Sequence, residues 1–362
     1  AASDVYKRQR DLPQEEIDRL LAEGVPYVIR QKMPIEGSTS FTDAVFGEIT
    51  VENTELQDQI LIKTDGYPTY NFANVIDDHT MGITHVVRGC EYLSSTPKYN
   101  LLYEAFGWEI PTYIHLPLIM GKDADGNVSK LSKRHGATGF YDLIDEGYLP
   151  EAIINYIALL GWCPKDNQEI FTLKELEKAF DISGISKSPA VFDYDKLSWF
   201  NGEYIKAMTP EKFTEVAMPY YKKVFGDKQM PYEKFAAILQ KRTTQLTQIP
   251  EMLDFFAELP SYTKELFVNK KSKTNLENSP VVLKEAYDRL KAMPEWNETS
   301  IHDCLINMAV EKELKNGTVM WPVRIAAAGK TVTPGGAVEI LDILGRDESL
   351  ARLEKGMAIL AE

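Results

Sequence analysis

The run Lys130-Leu131-Ser132-Lys133-Arg134-His135-Gly136 sets two lysines three residues apart around a serine and leads into Arg-His-Gly. An ammonium on a long stem is a compact, strongly hydrated point charge, suited to gripping a triphosphate. Gly136 lets such a loop bend sharply. Lys-x-x-Lys alone reads more readily as a solvated basic turn, so the sequence around it must decide.

The loop follows the polar turn Asp123-Ala124-Asp125-Gly126-Asn127 and the apolar run 113–119. Upstream, 59–63 reads as a buried strand, 69–78 as a helix, 83–87 as a β-branched strand, and 113–119 as a further strand. Thr96-Pro97 opens a helix that Gly107 ends. Strand, helix, strand, helix, strand is half of an open α/β nucleotide-binding sheet. Ahead of it lie a helix from Asp11, with Pro13 early and Gly24 after it, and short strands at 26–30 and 45–51. After the lysine loop the texture is helical: a helix through 149–160, then spacings of three and four at 172–180, 210–225, 231–259, 279–293, 301–316, 337–344 and 350–360. The fold class is therefore α/β followed by an all-α region.

A chain of 362 residues suffices for two or more domains with real cores. With 44% hydrophobic and 26% charged residues it has the composition of a soluble globular protein. No apolar run approaches a membrane span and no secretory signal is present. Cys90, Cys163 and Cys304 are far apart and odd in number, which gives neither a disulfide framework nor a metal motif and suits a reducing cytoplasm. The formal net charge of -14 argues against indiscriminate binding to polyanions; any RNA contact must be local and shape-specific. Lys270-Lys271-Ser272-Lys273 reads as a solvated loop tip.

In order, the stretches Asp65-Gly66-Tyr67-Pro68-Thr69-Tyr70-Asn71-Phe72-Ala73-Asn74, Asp77-Asp78-His79, Gly82-Ile83-Thr84-His85-Val86-Val87-Arg88-Gly89 and Ser94-Ser95-Thr96-Pro97-Lys98, ending in the KLSKRHG loop, resemble the bacterial glutamyl-tRNA synthetases, a class I aminoacyl-tRNA synthetase family. The resemblance runs from about Arg10 to Glu362, and KLSKR is that family's form of the class I signature loop.

The resemblance implies a two-step reaction. A glutamate carboxylate attacks the α-phosphorus of ATP, giving glutamyl-adenylate and pyrophosphate; the terminal ribose of tRNA(Glu) then takes the acyl group. Lys130, Ser132, Lys133 and Arg134 become the catalytic loop, with Lys133 foremost and Lys130 second against the charge of the leaving pyrophosphate. Lys130, Lys133, Leu118 and Ile119 become the ATP-binding set, and Mg²⁺ would share the charge. Arg88, Tyr70, Asn74 and Glu91 become the glutamate site. A guanidinium fork suits a carboxylate, and Tyr70 and Asn74, four apart, would share a helix face. The alternatives are an ion pair of Arg88 with Asp77, Asp78 or Glu91, and an ordinary half-buried helix face for Tyr70 and Asn74. Cys90 stands where the family more often has an acidic residue. Trp199 and Phe200 either stack on bases or form a core pair. Arg324 and Thr333 align with residues that touch anticodon bases, unless Arg324 pairs with phosphate or carboxylate instead.

Class I enzymes also need a His-x-Gly-His turn. The histidines are His79, His85, His115, His135 and His302, and no two are three apart. The expectation is thus a glutamate–tRNA ligase lacking its N-terminal portion and inactive alone. Residues 1–9 read as a junction outside the family pattern, 10–58 as the tail of an acceptor-binding insert and 59–128 as the second half of the class I Rossmann-type domain. Residues 129–206 read as the signature loop with a stem-contact domain, and 207–362 as a helical anticodon-binding region split near 270–300. The expected partners are tRNA(Glu), L-glutamate and ATP, with no membrane, no resident metal and a monomeric state. The alternatives are a non-catalytic tRNA-binding fragment, or a relative that charges glutamine or a modified base.

Overall fold

A computed structural model describes residues 9–123, 125–132, 135–136 and 139–362. Lys133 and Arg134 lie outside the described residues.

The first of two units comprises residues 1–135 and 157–192. Helix α1 (Gln14–Ala22) precedes a two-residue strand β1 (Ile29–Arg30) and a hairpin of β2 (Ser38–Asp43) and β3 (Gly47–Glu52). Asp43 closes that hairpin. Its carboxylate accepts the N–H groups of Val45 and Phe46 at 2.9 and 2.8 Å, and Gly47 takes φ +85°. After β4 (Ile60–Ile62) come α2 (Tyr70–Thr80), β5 (His85–Gly89), α3 (Thr96–Phe106) and β6 (Thr112–Leu116). Pro97 sits in the first turn of α3, and Gly107 ends it in the left-handed region, as its sequence predicts. The four-stranded sheet runs β3-β2-β6-β5, with β6 parallel to both β2 and β5. Val75 of α2 and Tyr99, Leu102 and Tyr103 of α3 form a core between the helices.

Two expectations about this sheet need correcting. The strand at 59–63 does not join β5 and β6: β4 pairs antiparallel with β1, for which its three intermediate-burial residues are just long enough. The apolar run 113–119 is not one strand. It breaks at Pro117, which has no N–H to give a ladder, and resumes as β7 (Ile119–Lys122) in a separate sheet ordered β8-β7-β9, where β8 is Val128–Lys130 and β9 is Ala190–Val191.

The second unit, residues 136–156 and 193–362, is helical. Phe213, Tyr221, Phe235, Leu253 and Leu283 are fully buried in one cluster that also takes Leu149 and Ala152. Buried Asn201 ties these segments: it accepts the Leu149 N–H at 2.8 Å and donates to the carbonyls of Gly147 and Thr244. Periodicity does not extend a helix through Pro322, yet the helix Asn316–Ala328 contains it, buried, at the cost of one backbone hydrogen bond. A Cβ on Gly356 would come within 2.6 Å of the Ala326 Cβ, so the last helix, Arg346–Ala361, needs that glycine to lie against Asn316–Ala328. Among the described residues no helix is long and apolar enough to cross a membrane.

Candidate functional site

Parallel pairing of β5 with β6 puts Arg88 in register with His115. Asp43 at the end of β2 reaches the same point, pairing with Tyr113, two residues before His115 and on the same face of β6. The Arg88 Nε–H donates to His115 Nε2 at 3.2 Å and Nη2 donates to Thr96 Oγ1 at 2.6 Å. The guanidinium carbon lies 5.0, 4.9 and 5.3 Å from the ring centres of Tyr92, Tyr99 and Tyr113, within cation–π range of all three. No ion pair formed by the described residues includes Arg88, so the pairing with Asp77, Asp78 or Glu91 does not occur. Among the described residues Nη1 has no hydrogen-bond partner. The arrangement is a half-buried, oriented cation with donors to spare, beside β5's unpaired edge, where Val87 is 57% exposed.

Tyr70 opens α2, is largely exposed, and its ring lies 6.5 Å from that of Tyr92. Asn74, one turn on, has a buried Oδ1 with no hydrogen-bond partner among the described residues. Tyr70 and Asn74 are thus not the satisfied helix face that the alternative reading requires. Neighbouring Asn71 accepts the Tyr99 hydroxyl at 2.8 Å, which fixes α2 against α3. Glu91 folds back over Gly89, where a Cβ would meet its carboxylate at 2.0 Å, and receives Lys130 Nζ at 3.1 Å. Its own N–H and Lys130 hold its carboxyl below the usual range. The structure therefore joins Lys130, of the signature loop, to the residue three beyond Arg88.

The loop is anchored by His135. Its Nδ1 contacts the N–H and hydroxyl of Ser132 at 3.1 and 3.2 Å, its Nε2 the Ser129 hydroxyl at 3.2 Å, and its ring packs on Gly121, where a Cβ would come within 2.6 Å. Leu118 and Ile119 lie at the start of β7 with their carbonyls committed to the N–H groups of Ala190 and Leu131.

In the helical unit, Arg324 stacks 4.6 Å from the Trp321 ring centre and donates to the Thr331 carbonyl at 3.0 Å and to Thr333 Oγ1 at 3.4 Å. Among the described residues it pairs with no carboxylate, and burial, followed by Arg242, lowers its pKa. The Thr333 hydroxyl is buried and donates to the Gly335 carbonyl at 2.7 Å. It holds the 331–335 turn beneath Arg324. Arg242, Gln248, Lys330 and the 329–334 loop line an adjoining cavity of about 860 Å³. Of Trp199 and Phe200, Phe200 is core, whereas Trp199 is 41% exposed with Lys196 Nζ 4.4 Å from its ring centre.

The sequence alone assigned none of Asp43, Tyr92, Thr96, Tyr99, Tyr113 and His115 to the site, although Thr96 stands in a family motif. A histidine in an apolar strand was the one available signal for the group.

A model of the catalytic domain of class I tRNA synthetases of the E and Q type matches residues 1–199, and one of an anticodon binding domain matches residues 212–357. The glutamate–tRNA ligase of Clostridium kluyveri is 56% identical over 346 residues, covering 96% of this chain and 70% of the relative; that of Clostridium novyi is 52% identical over 366 residues, covering 99% and 74%. The crystal structure of a glutamate tRNA ligase from Elizabethkingia meningosepticum in complex with its amino acid superposes with a TM-score of 0.84 at 35% identity, covering 96% of this chain and 72% of that one.

Proposed function

This chain belongs to the glutamate–tRNA ligase family of class I tRNA synthetases, and we infer that it carries the glutamate-gripping, pyrophosphate-facing and anticodon-reading parts of that reaction. The observation that carries the reading is Arg88: a cation held by three aromatic faces and two hydrogen bonds, with neither a carboxylate partner nor an Nη1 contact among the described residues. A substrate carboxylate is the natural partner for such a fork. Tyr70 lies beside this group, and the Asn74 Oδ1 offers an acceptor to a substrate donor such as an ammonium.

The bound glutamate's α-carboxylate attacks the α-phosphorus of ATP and pyrophosphate leaves. Negative charge gathers on the leaving group, and Lys133, assigned from sequence, with Lys130 and Arg134, would meet it in the transition state. The 3′-terminal ribose hydroxyl of tRNA(Glu) then attacks the acyl carbon and AMP leaves. Among the described residues no group of three His, Cys, Asp or Glu side chains is placed to hold a metal ion. Arg324, stacked on Trp321 above the Thr333 turn, offers a flat cation to an unstacked anticodon base, the usual way single-stranded RNA is read.

The domain reading 59–128, 129–206 and 207–362 remains our proposal for division of labour, with the anticodon function in the last part. A protein extended upstream to include a His-x-Gly-His turn tests the whole. It should charge tRNA with labelled glutamate; failure to do so with any tRNA fraction would sink the reading.

A further inference from the structure

We propose that Asp43 and His115 form a buried positioning relay that fixes the direction of the Arg88 fork and so sets the affinity of the site for the substrate carboxylate. The inference rests on the reading of Arg88 given above and deepens it.

Donor and acceptor counting determines the relay's state. Arginine has only donors, so the His115 Nε2 facing the Arg88 Nε–H must present a lone pair. The proton of a neutral ring is then on Nδ1, which lies 2.6 Å from Asp43 Oδ2. Asp43 must be ionised to take it, and it also accepts three backbone N–H groups, from Val45, Phe46 and His115 itself. Burial pushes its carboxyl up, but these N–H groups and the ring hold it below its usual 3.8. The imidazole is lowered from its usual 6.5, first by burial and then by Arg88, with Asp43 opposing. The charged or titratable groups that face His115 are Asp43 from β2 and Arg88 from β5, with Glu91 at longer range; the Thr96 hydroxyl from α3 completes its polar surroundings at 3.3 Å. Phe41 and Tyr113 pack against it from the strands.

Both relay side chains have no exposed surface, so neither can touch substrate. Their service is to give Arg88 an acceptor on Nε. With Thr96 taking Nη2, two of the three guanidinium nitrogens are committed and the plane is fixed, leaving Nη1 to project. A doubly protonated His115 would turn this acceptor into a second cation facing Arg88. A relay that orients a ligand-binding group from behind is a familiar device at metal sites, where it also fixes a histidine tautomer; here the group it orients is an arginine.

The test uses the 362-residue chain labelled with ¹⁵N in histidine and arginine. Expected are a neutral Nδ1–H tautomer for His115 from its usual 6.5 up to pH 8 and a slowly exchanging Arg88 Nε–H signal. His115→Gln places an amide oxygen near the Nε2 position and should keep that signal. His115→Leu should lose it and weaken L-glutamate, titrated against the same spectra, by roughly 10- to 100-fold, the loss of one hydrogen bond to a charged group. A His115 that titrates within this range, or an Arg88 signal indifferent to His115→Leu, overturns the relay even if that variant is the only one to fold poorly. Arg88→Ala separates the two ideas. If it abolishes glutamate binding while His115→Leu does not weaken it, the relay fails and the site stands. If glutamate binding is absent, or does not depend on Arg88, the site reading fails, and the tautomer and the Nε–H signal still decide the relay.

Discussion

Replacing Arg88 by alanine should raise the glutamate requirement of adenylate formation and leave the ATP requirement nearly unchanged. The guanidinium is half-buried, and its Nε and Nη2 are held by His115 and Thr96 while Nη1 is free for a carboxylate. Removing one partner of a buried, hydrogen-bonded charge pair costs roughly 2–5 kcal/mol. Partial exposure places Arg88 toward the lower part of that range, about 2–3 kcal/mol. At about 1.4 kcal/mol per factor of ten this is roughly a 30- to 150-fold higher half-saturating glutamate concentration. Arg88→Lys restores charge but not the fork: a lysine ammonium cannot reach His115, Thr96 and substrate in one plane, so it should recover less than about a tenth of the lost affinity. The assay is glutamate- and tRNA-dependent pyrophosphate exchange by the upstream-extended protein, with melting curves to confirm that each variant folds. Equal rises in the glutamate and ATP requirements would refute the clamp and leave Arg88 a structural residue between three tyrosines.

Lys133→Ala in the same extended protein should slow pyrophosphate exchange by roughly 10²–10³ while tRNA affinity stays unchanged; an unchanged rate removes Lys133 from the reaction. The first unit should lose stability as pH falls below about 6.5. An unfolded His115 gains a proton there, whereas the buried ring stays neutral, so the unfolded state binds more protons and is favoured. Urea melts at pH 7.5 and 5.5 should show this, and His115→Gln should flatten the difference; an unaltered difference contradicts the assignment. Gly356→Ala should destabilise the helical unit by about 1–3 kcal/mol, because the new methyl meets the Ala326 Cβ at 2.6 Å; an unchanged melting temperature of that unit would count against the close packing. Arg324→Ala in the 362-residue chain should weaken a cognate anticodon stem-loop by several-fold and a scrambled one not at all; equal losses would make Arg324 a phosphate contact.

What the sequence made legible was whatever is local. The Thr96-Pro97 start and Gly107 stop of α3, the Tyr70–Asn74 face of α2 and the helix Pro210–Phe225 follow from capping residues and periodicity within a few turns. The ordered motifs pointed to the family for the same reason: they are contiguous strings. What was not legible depends on partners far along the chain. Asp43 and His115 are 72 residues apart and meet only because β2 and β6 lie side by side. The pairing of β4 with β1, rather than with β5 and β6, cannot be read from an apolar run, since every such run is a possible partner for every other. Pro322 sits in a helix because its buried packing outweighs the lost hydrogen bond, and no propensity reports that. Thr333 has a contact of the same kind: its hydroxyl donates to the Gly335 carbonyl and so shapes the turn, which the motif does not report.

The most direct measurement is tRNA-dependent pyrophosphate exchange by the upstream-extended protein, with L-glutamate and L-glutamine compared as substrates over a full concentration series. The account predicts exchange with glutamate, and exchange with glutamine lower by about two orders of magnitude, the discrimination available to a site that binds a charged carboxylate and meets a neutral amide instead. Equal exchange with the two amino acids would contradict it.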